Sequence, residues 1–121
     1  MYEIILIVGL PGSGKTFLAN SLSNECRVYD DIVSLAGLPD DDNFVIVDVN
    51  FCDSKILKLA ITTLNDLFPN HTITIIYFEN DAKKCRHNVA VRNDGRNVEG
   101  TIKRFEHIYS PPADALKIHV A

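Results

Sequence analysis

The sequence predicts an α/β fold: a single domain, residues 1–121, with about five parallel strands and helices on both faces of the sheet. Three observations predict it. Short continuous apolar runs occur at Ile4-Ile5-Leu6-Ile7-Val8, at Phe44-Val45-Ile46-Val47 and across Thr72 to Phe78. Runs of this length, rich in β-branched side chains, read as strands covered on both faces. Between them the apolar spacing turns helical, most clearly at Ile56, Leu57, Ala60, Ile61, Leu64, Leu67 and Phe68. Third, Gly9-Leu10-Pro11-Gly12-Ser13-Gly14-Lys15-Thr16 lies between the first apolar run and the first helical segment. Strand, glycine-rich loop and helix in that order start many parallel-sheet domains.

Taken in order, residues 3–8 form the first strand and 14–23 the first helix, with Phe17, Leu18, Ser21 and Leu22 on one face. Arg27-Val28-Tyr29 is a second strand ending in Asp30-Asp31. Ile32, Val33, Leu35 and Ala36 make a brief helical face that Gly37 and Pro39 close. Asp40-Asp41-Asp42-Asn43 is a solvated acidic turn, lacking the glycine and the closing glutamate of a calcium loop. After the strand at residues 44–47, Asp53 or Ser54 caps a helix running to about Phe68, and Pro69-Asn70 stops it. Thr72 to Phe78 is a strand, and Asn80 or Asp81 caps a helix over residues 82–92. A turn at Asn93-Asp94-Gly95 leads to a helix through Val98, Ile102, Phe105, Ile108 and Tyr109 that ends at Pro111-Pro112. Alternation over Leu116 to Val120 marks a last strand.

Composition narrows the function. Of 121 residues, 46% are hydrophobic and 23% charged, the balance of an ordinary globular domain. No segment approaches a membrane span, and the first apolar run has no basic flank, so a cytoplasmic protein without a membrane partner is expected. Cys26, Cys52 and Cys85 are odd in number and show no metal-ligand spacing, so reduced thiols are expected, with a catalytic thiol as the alternative. The net charge of −4 is uneven: residues 1–66 hold 4 basic and 10 acidic side chains, residues 67–121 hold 8 and 6. This is too weak for coating nucleic acid. It suits a local patch, drawn from Arg86, Arg92, Arg96, Lys103 and Arg104, that meets phosphates. Lys83, Lys84, Lys103 and Arg104 also read as solvated helix positions, and no histidine has a paired spacing.

The glycine-rich stretch fits the phosphate-binding pattern G-x-x-x-x-G-K-[ST] at every fixed position. Glycines let the backbone turn tightly and approach an anion, so the N–H groups of Gly12, Ser13, Gly14, Lys15 and Thr16, with Phe17 following, can converge on a phosphate. Lys15 reaches the β- and γ-phosphates and the Thr16 hydroxyl holds Mg²⁺. The expected domain is therefore a P-loop NTPase domain, with ATP and Mg²⁺ as its cofactors. Asp48 ends an apolar strand, where a carboxylate can join Thr16 on the metal; a cap or turn is the plainer reading of the same residue. Asp30 and Asp31 close the second strand. One of them can accept the proton of a hydroxyl that attacks a phosphate, and the other can cap the next helix; Asp30 is the chosen base. Arg92 and Arg96 flank a glycine-containing turn that could close over a nucleotide, and planar guanidinium groups match the charge of a transferring phosphoryl group. A solvated basic face is the alternative.

These residues resemble the small P-loop kinases, most closely the kinase domain of phage 5′-hydroxyl polynucleotide kinase. The resemblance is carried by the loop, by Asp30-Asp31 about fifteen positions after Lys15, by Asp48-Val49-Asn50, and by Arg92-Asn93-Asp94-Gly95-Arg96. It implies Asp30 as general base and Arg96, assisted by Arg92, bracing the transferring phosphate. It also implies transfer of the ATP γ-phosphate to a hydroxyl, with a nucleic-acid 5′ end as acceptor. The family places an arginine three residues after its catalytic aspartate to hold the acceptor; Val33 stands there in this chain. A nucleoside, nucleotide or other small hydroxyl compound therefore stands beside the polynucleotide end as acceptor. A nucleotide-binding regulatory module without efficient catalysis is the other reading. Asn80-Asp81-Ala82-Lys83 does not fit the guanine-recognition pattern, which leaves adenine as the default base.

Overall fold

The computed structural model describes residues 2–30, 42–92 and 98–121. Its elements are β1 (Tyr2–Val8), α1 (Lys15–Ser21), β2 (Arg27–Asp30), β3 (Phe44–Val47), a 3₁₀ turn (Val49–Cys52), α2 (Ser54–Leu67), β4 (His71–Phe78), α3 (Ala82–Arg92), α4 (Glu99–Phe105) and β5 (Lys117–Ile118). The five strands form one sheet in the order β2-β3-β1-β4-β5. Every pairing is parallel. β1 is central: Ile4 to Ile7 pair with Phe44 to Val47 on one side, and Tyr2 to Val8 with His71 to Tyr77 on the other.

Burial explains the strand composition. Ile4, Leu6, Ile7 and Val8 of β1 and all four residues of β3 are buried. Central strands covered on both faces have no polar side to present, so their sequences are continuously apolar. β4 alternates more, with Thr72 and Thr74 exposed, because β5 pairs only with Tyr77 and Phe78. The alternation over residues 116–120 thus yields a strand of two residues, although Val120 is buried.

The strand order places the site. From β1 the chain moves outward to β2 and β3, then returns over β1 to β4. Right-handed crossovers carry α1 and α2 to opposite faces. The carboxyl ends of adjacent β1 and β3 therefore send the chain in opposite directions and open a crevice between them. The glycine-rich loop leaves β1 on one side of it, and Asp48 leaves β3 on the other.

The long helix is as expected. Asp53 accepts from the Lys55 N–H and caps α2, whose stripe of Leu57, Leu64 and, just past its end, Phe68 is buried. The first helix differs. It is shorter, and its buried residues are Lys15 and Ala19, with Leu18 and Leu22 half-buried. Phe17 and Ser21 point outward. The loop orients so short a helix by anchoring its first residue. The last helix stops at Phe105 and continues only as turns towards Tyr109. Arg86, expected in a phosphate-receiving patch, is instead committed within the fold. Its guanidinium forms paired 2.9 Å bonds to Glu106, and its Nε donates to Glu99 at 2.8 Å, joining α3 to the α4 region. The Arg86 guanidinium holds the Glu106 carboxyl below its usual range. Arg104 is exposed, with its guanidinium 5.0 Å from the centre of the Phe105 ring. The brief helical face at residues 32–36 and the first half of the acidic turn lie outside the described residues. Among the described residues no helix is long and apolar enough to cross a membrane.

Tyr109 closes the carboxyl end of the sheet. Its buried hydroxyl donates to the Phe78 carbonyl and lies 3.3 Å from the Val8 carbonyl, linking the ends of β4 and β1. Burial pushes its pKa up. Tyr109→Phe leaves the ring in place but removes the hydroxyl that meets both carbonyl oxygens. Urea unfolding is expected to show a loss of about 1–3 kcal/mol, the cost of an unsatisfied buried polar group.

Candidate functional site

The loop joining β1 to α1 takes a conformation that only glycine adopts without strain. Gly12 has φ +84° and Gly14 φ +107°. Gly12 is also in close contact: a Cβ there would collide with the Cys85 carbonyl oxygen of α3. No side chain caps α1, whose positive end begins directly at the last glycine of the loop. Lys15 is 9% exposed, and its Nζ donates to the Leu10 carbonyl at 2.9 Å, folding the ammonium back over its own loop. The Ser13 N–H donates to the same carbonyl at 3.1 Å. Ser13 Oγ is the one buried side-chain polar atom without a hydrogen-bond partner among the described residues.

The loop forms one wall of a cleft of about 430 Å³. Gly12, Gly14, Lys15, Thr16 and Phe17 line it from this side; Val47 and Val49 line it from β3 and the turn after it, Asn88 and Arg92 from α3, and Val98 and Thr101 from the start of α4. The structure thus gathers most of the expected binding residues, together with Arg92 from the last turn of α3. Beyond Val49 and Thr101 lies a second hollow of about 480 Å³, reaching Asn50 and Arg104. A third hollow, about 500 Å³, lies along residues 23–29 and Asp42, with no glycine cradle or strand carboxyl ends converging on it.

Asp48 follows β3 directly and is buried. Its Oδ1 accepts from the Asn50 N–H at 2.9 Å and from Asn50 Nδ2 at 3.0 Å, capping the 3₁₀ turn. The plainer reading of this residue is therefore realised. A carboxylate has further acceptor sites, so capping leaves capacity for a cation. Asp48 sits between Val47 and Val49, which both line the cleft that Thr16 lines opposite. Among the described residues no three His, Cys, Asp or Glu side chains group to hold a metal ion. The Thr16 hydroxyl and the Asp48 carboxylate are hard oxygens, the donor type that could hold Mg²⁺.

Asp30 ends β2 at the position paired with Val47, so its backbone stands in the strand row that borders the cleft. Its side chain, with Asp31, Asn93, Asp94, Gly95 and Arg96, lies outside the described residues.

Sequence reasoning missed Asn88. Its Nδ2 donates to the Gly12 carbonyl at 3.0 Å and to the Ala121 carbonyl at 2.9 Å, using both amide hydrogens. It ties the glycine loop to α3 and to the end of the described chain. Lys84, one turn earlier, reaches the Val120 carbonyl at 3.3 Å. A lone asparagine within a polar helix carries no sequence pattern. Only the contact across 76 positions identifies it.

Two thiols lie close enough to Lys15 to feel its charge. Burial pushes Cys52 up to about 12 and Cys85 up to about 11, and the Lys15 ammonium only partly offsets this. Both stay protonated at neutral pH, consistent with the reading of reduced, structural cysteines.

No protein-family model matches the chain. It is 31% identical over 104 residues to uncharacterized protein R277 of Acanthamoeba polyphaga mimivirus, a match covering 78% of this chain and 75% of the viral protein.

Gly12→Ala is expected to destabilise the protein by roughly 2–4 kcal/mol, from left-handed strain plus a collision with backbone. Gly100→Ala, in α4 with nothing within 4 Å of the new methyl, is expected to stabilise it by about 0.5–1 kcal/mol. Chemical unfolding of both variants checks the contrast. The thiols set an alkaline limit. Above their ordinary value of 9.0 the unfolded chain releases protons that the folded chain retains until about 11 and 12, so stability falls as pH rises through that window. Urea midpoints measured from pH 8 to 11 should decline, and Cys52→Ser should flatten the decline.

Proposed function

The chain belongs to one family with that mimivirus protein, and we propose that it is an ATP-dependent phosphotransferase of the P-loop kinase type, moving the γ-phosphate to a hydroxyl acceptor. One observation carries the reading. A loop with two left-handed glycines presents helix N–H groups and a buried lysine to a cleft at the junction of β1 and β3. A structure that places two left-handed glycines and a buried ammonium at one point is suited to a polyanion.

In this reading Gly12 through Phe17 hold the phosphates through their backbone. Lys15 exchanges the Leu10 carbonyl for phosphate oxygens, a move that leaves its charge nearly in place. Thr16 and Asp48 would hold Mg²⁺, which would offset the charge of the phosphates. Asp30 accepts the acceptor's proton, and Arg92 and Arg96 brace the equatorial oxygens. The acceptor oxygen forms its bond to the γ-phosphorus as the bond to the β–γ bridging oxygen breaks. The proton passes to Asp30, and ADP leaves with the bridging oxygen. The hollow beyond Val49 and Thr101 gives room for an acceptor beside the nucleotide cleft. By the resemblance of its motifs that acceptor is a nucleic-acid 5′-hydroxyl; a small hydroxyl compound fits the same chemistry.

Transfer from γ-labelled ATP with Mg²⁺ tests the reading, using 5′-hydroxyl oligonucleotides, nucleosides, nucleoside monophosphates and water as acceptors. Label is expected on one hydroxyl acceptor. It should fall by at least about a hundredfold in Lys15→Ala, which removes electrostatic stabilisation of the transferring group. Asp30→Asn should abolish transfer while ATP still binds. ATP binding with no transfer to any acceptor would favour the nucleotide-binding module instead.

A further inference from the structure

Five of the six phenylalanines obey the rule for a small domain: Phe44, Phe51, Phe68, Phe78 and Phe105 are each 4% exposed or less. Phe17 breaks it, at 83% exposed. It does so in a particular place. Phe17 follows Thr16 on the first turn of α1 and lines the cleft that the glycine loop opens. Leu18, its neighbour, packs against the core, so the helix had apolar positions enough without it. The opposite parts of the cleft include the partly buried, apolar Val49 and Val98, while Asn88 and Thr101 supply polar groups. An apolar slot with a few polar groups, opening from a phosphate cradle, is the form of a site for a planar polar ring.

We propose that Phe17 is a stacking platform for the nucleobase of the nucleotide whose phosphates occupy the glycine loop. The inference rests on the phosphate-binding reading of that loop. The occupant follows from connectivity: the ring is carried by the residue next to the loop's own Thr16, so a ligand extending from the phosphates into the cleft passes it. The aromatic face grips any base by its π-surface, and stacking is tolerant of base identity. Phe17 therefore contributes affinity for a nucleoside over bare polyphosphate, without selecting adenine. With no Trp in the chain, Phe17→Trp would place the sole tryptophan at the platform.

The test compares ATP, GTP and inorganic tripolyphosphate as ligands, each with Mg²⁺, by calorimetry on the full chain. Phe17→Ala should weaken both nucleotides by roughly tenfold, the scale of one lost base stack, and leave tripolyphosphate unchanged. Phe17→Tyr should restore nucleotide affinity, and Phe17→Trp emission should change with ATP but not with tripolyphosphate. An exposed ring is dispensable for folding, so Phe17→Ala should retain the wild-type unfolding midpoint. Equal weakening of all three ligands, or no weakening of ATP, would overturn the proposal. So would a Phe17→Ala effect confined to the KM of a nucleic-acid acceptor, because the base stacked there would belong to the acceptor. Failure of the underlying phosphate reading looks different: wild-type protein would not bind tripolyphosphate, or Lys15→Ala would bind it equally well, and both inferences would fall together.

Discussion

A backbone can aim several of its own N–H groups at one point only if it turns more sharply than L-residues allow, and this chain does so at Gly12 and Gly14. The turn is not free-standing. Gly12 is pressed against the Cys85 carbonyl of α3, and its own carbonyl is held by Asn88 of the same helix. Lys15 closes the loop from inside through the Leu10 carbonyl. The loop's shape therefore depends on where α3 sits. That in turn depends on Arg86, which fastens α3 to Glu99 and Glu106. A line of contacts runs from the glycine loop through α3 to the far helix.

The same arrangement joins the sheet to the site. β1 delivers the loop and β3 delivers Asp48, side by side and in register, because the chain order places these strands next to each other. Tyr109 bridges the ends of β1 and β4 at that same edge. The carboxyl end of the sheet is thus rigid where the loop begins. The charged Lys15 is tolerated there because a carbonyl receives its ammonium.

Much of this was legible in the amino-acid order, for physical reasons that differ by element. β1 and β3 declare themselves because strands buried on both faces must be apolar throughout. α2 declares itself because its stripe runs long enough to fix a period, and Asp53 supplies a cap that sequence can name. α1 was misread in its face: seven residues give too short a period, and the anchored Lys15 sets the rotation that turns Phe17 outward. Arg86 was misread because its partners lie 13 and 20 positions away on another helix, beyond any local charge pattern. Asn88 was invisible for the same reason. The loop's glycines were readable because φ above zero leaves a signature in residue choice; the contacts that support the loop leave none.

On the proposed reading, the loop from Gly12 to Phe17 receives phosphate. The most direct measurement is of the backbone amides themselves, by ¹H–¹⁵N correlation spectra of the labelled chain titrated with inorganic tripolyphosphate and Mg²⁺. The account predicts saturable shifts concentrated at Gly12, Ser13, Gly14, Lys15 and Thr16, and their loss in Lys15→Ala. Shifts absent from these amides, or concentrated instead along residues 23–29, would contradict it.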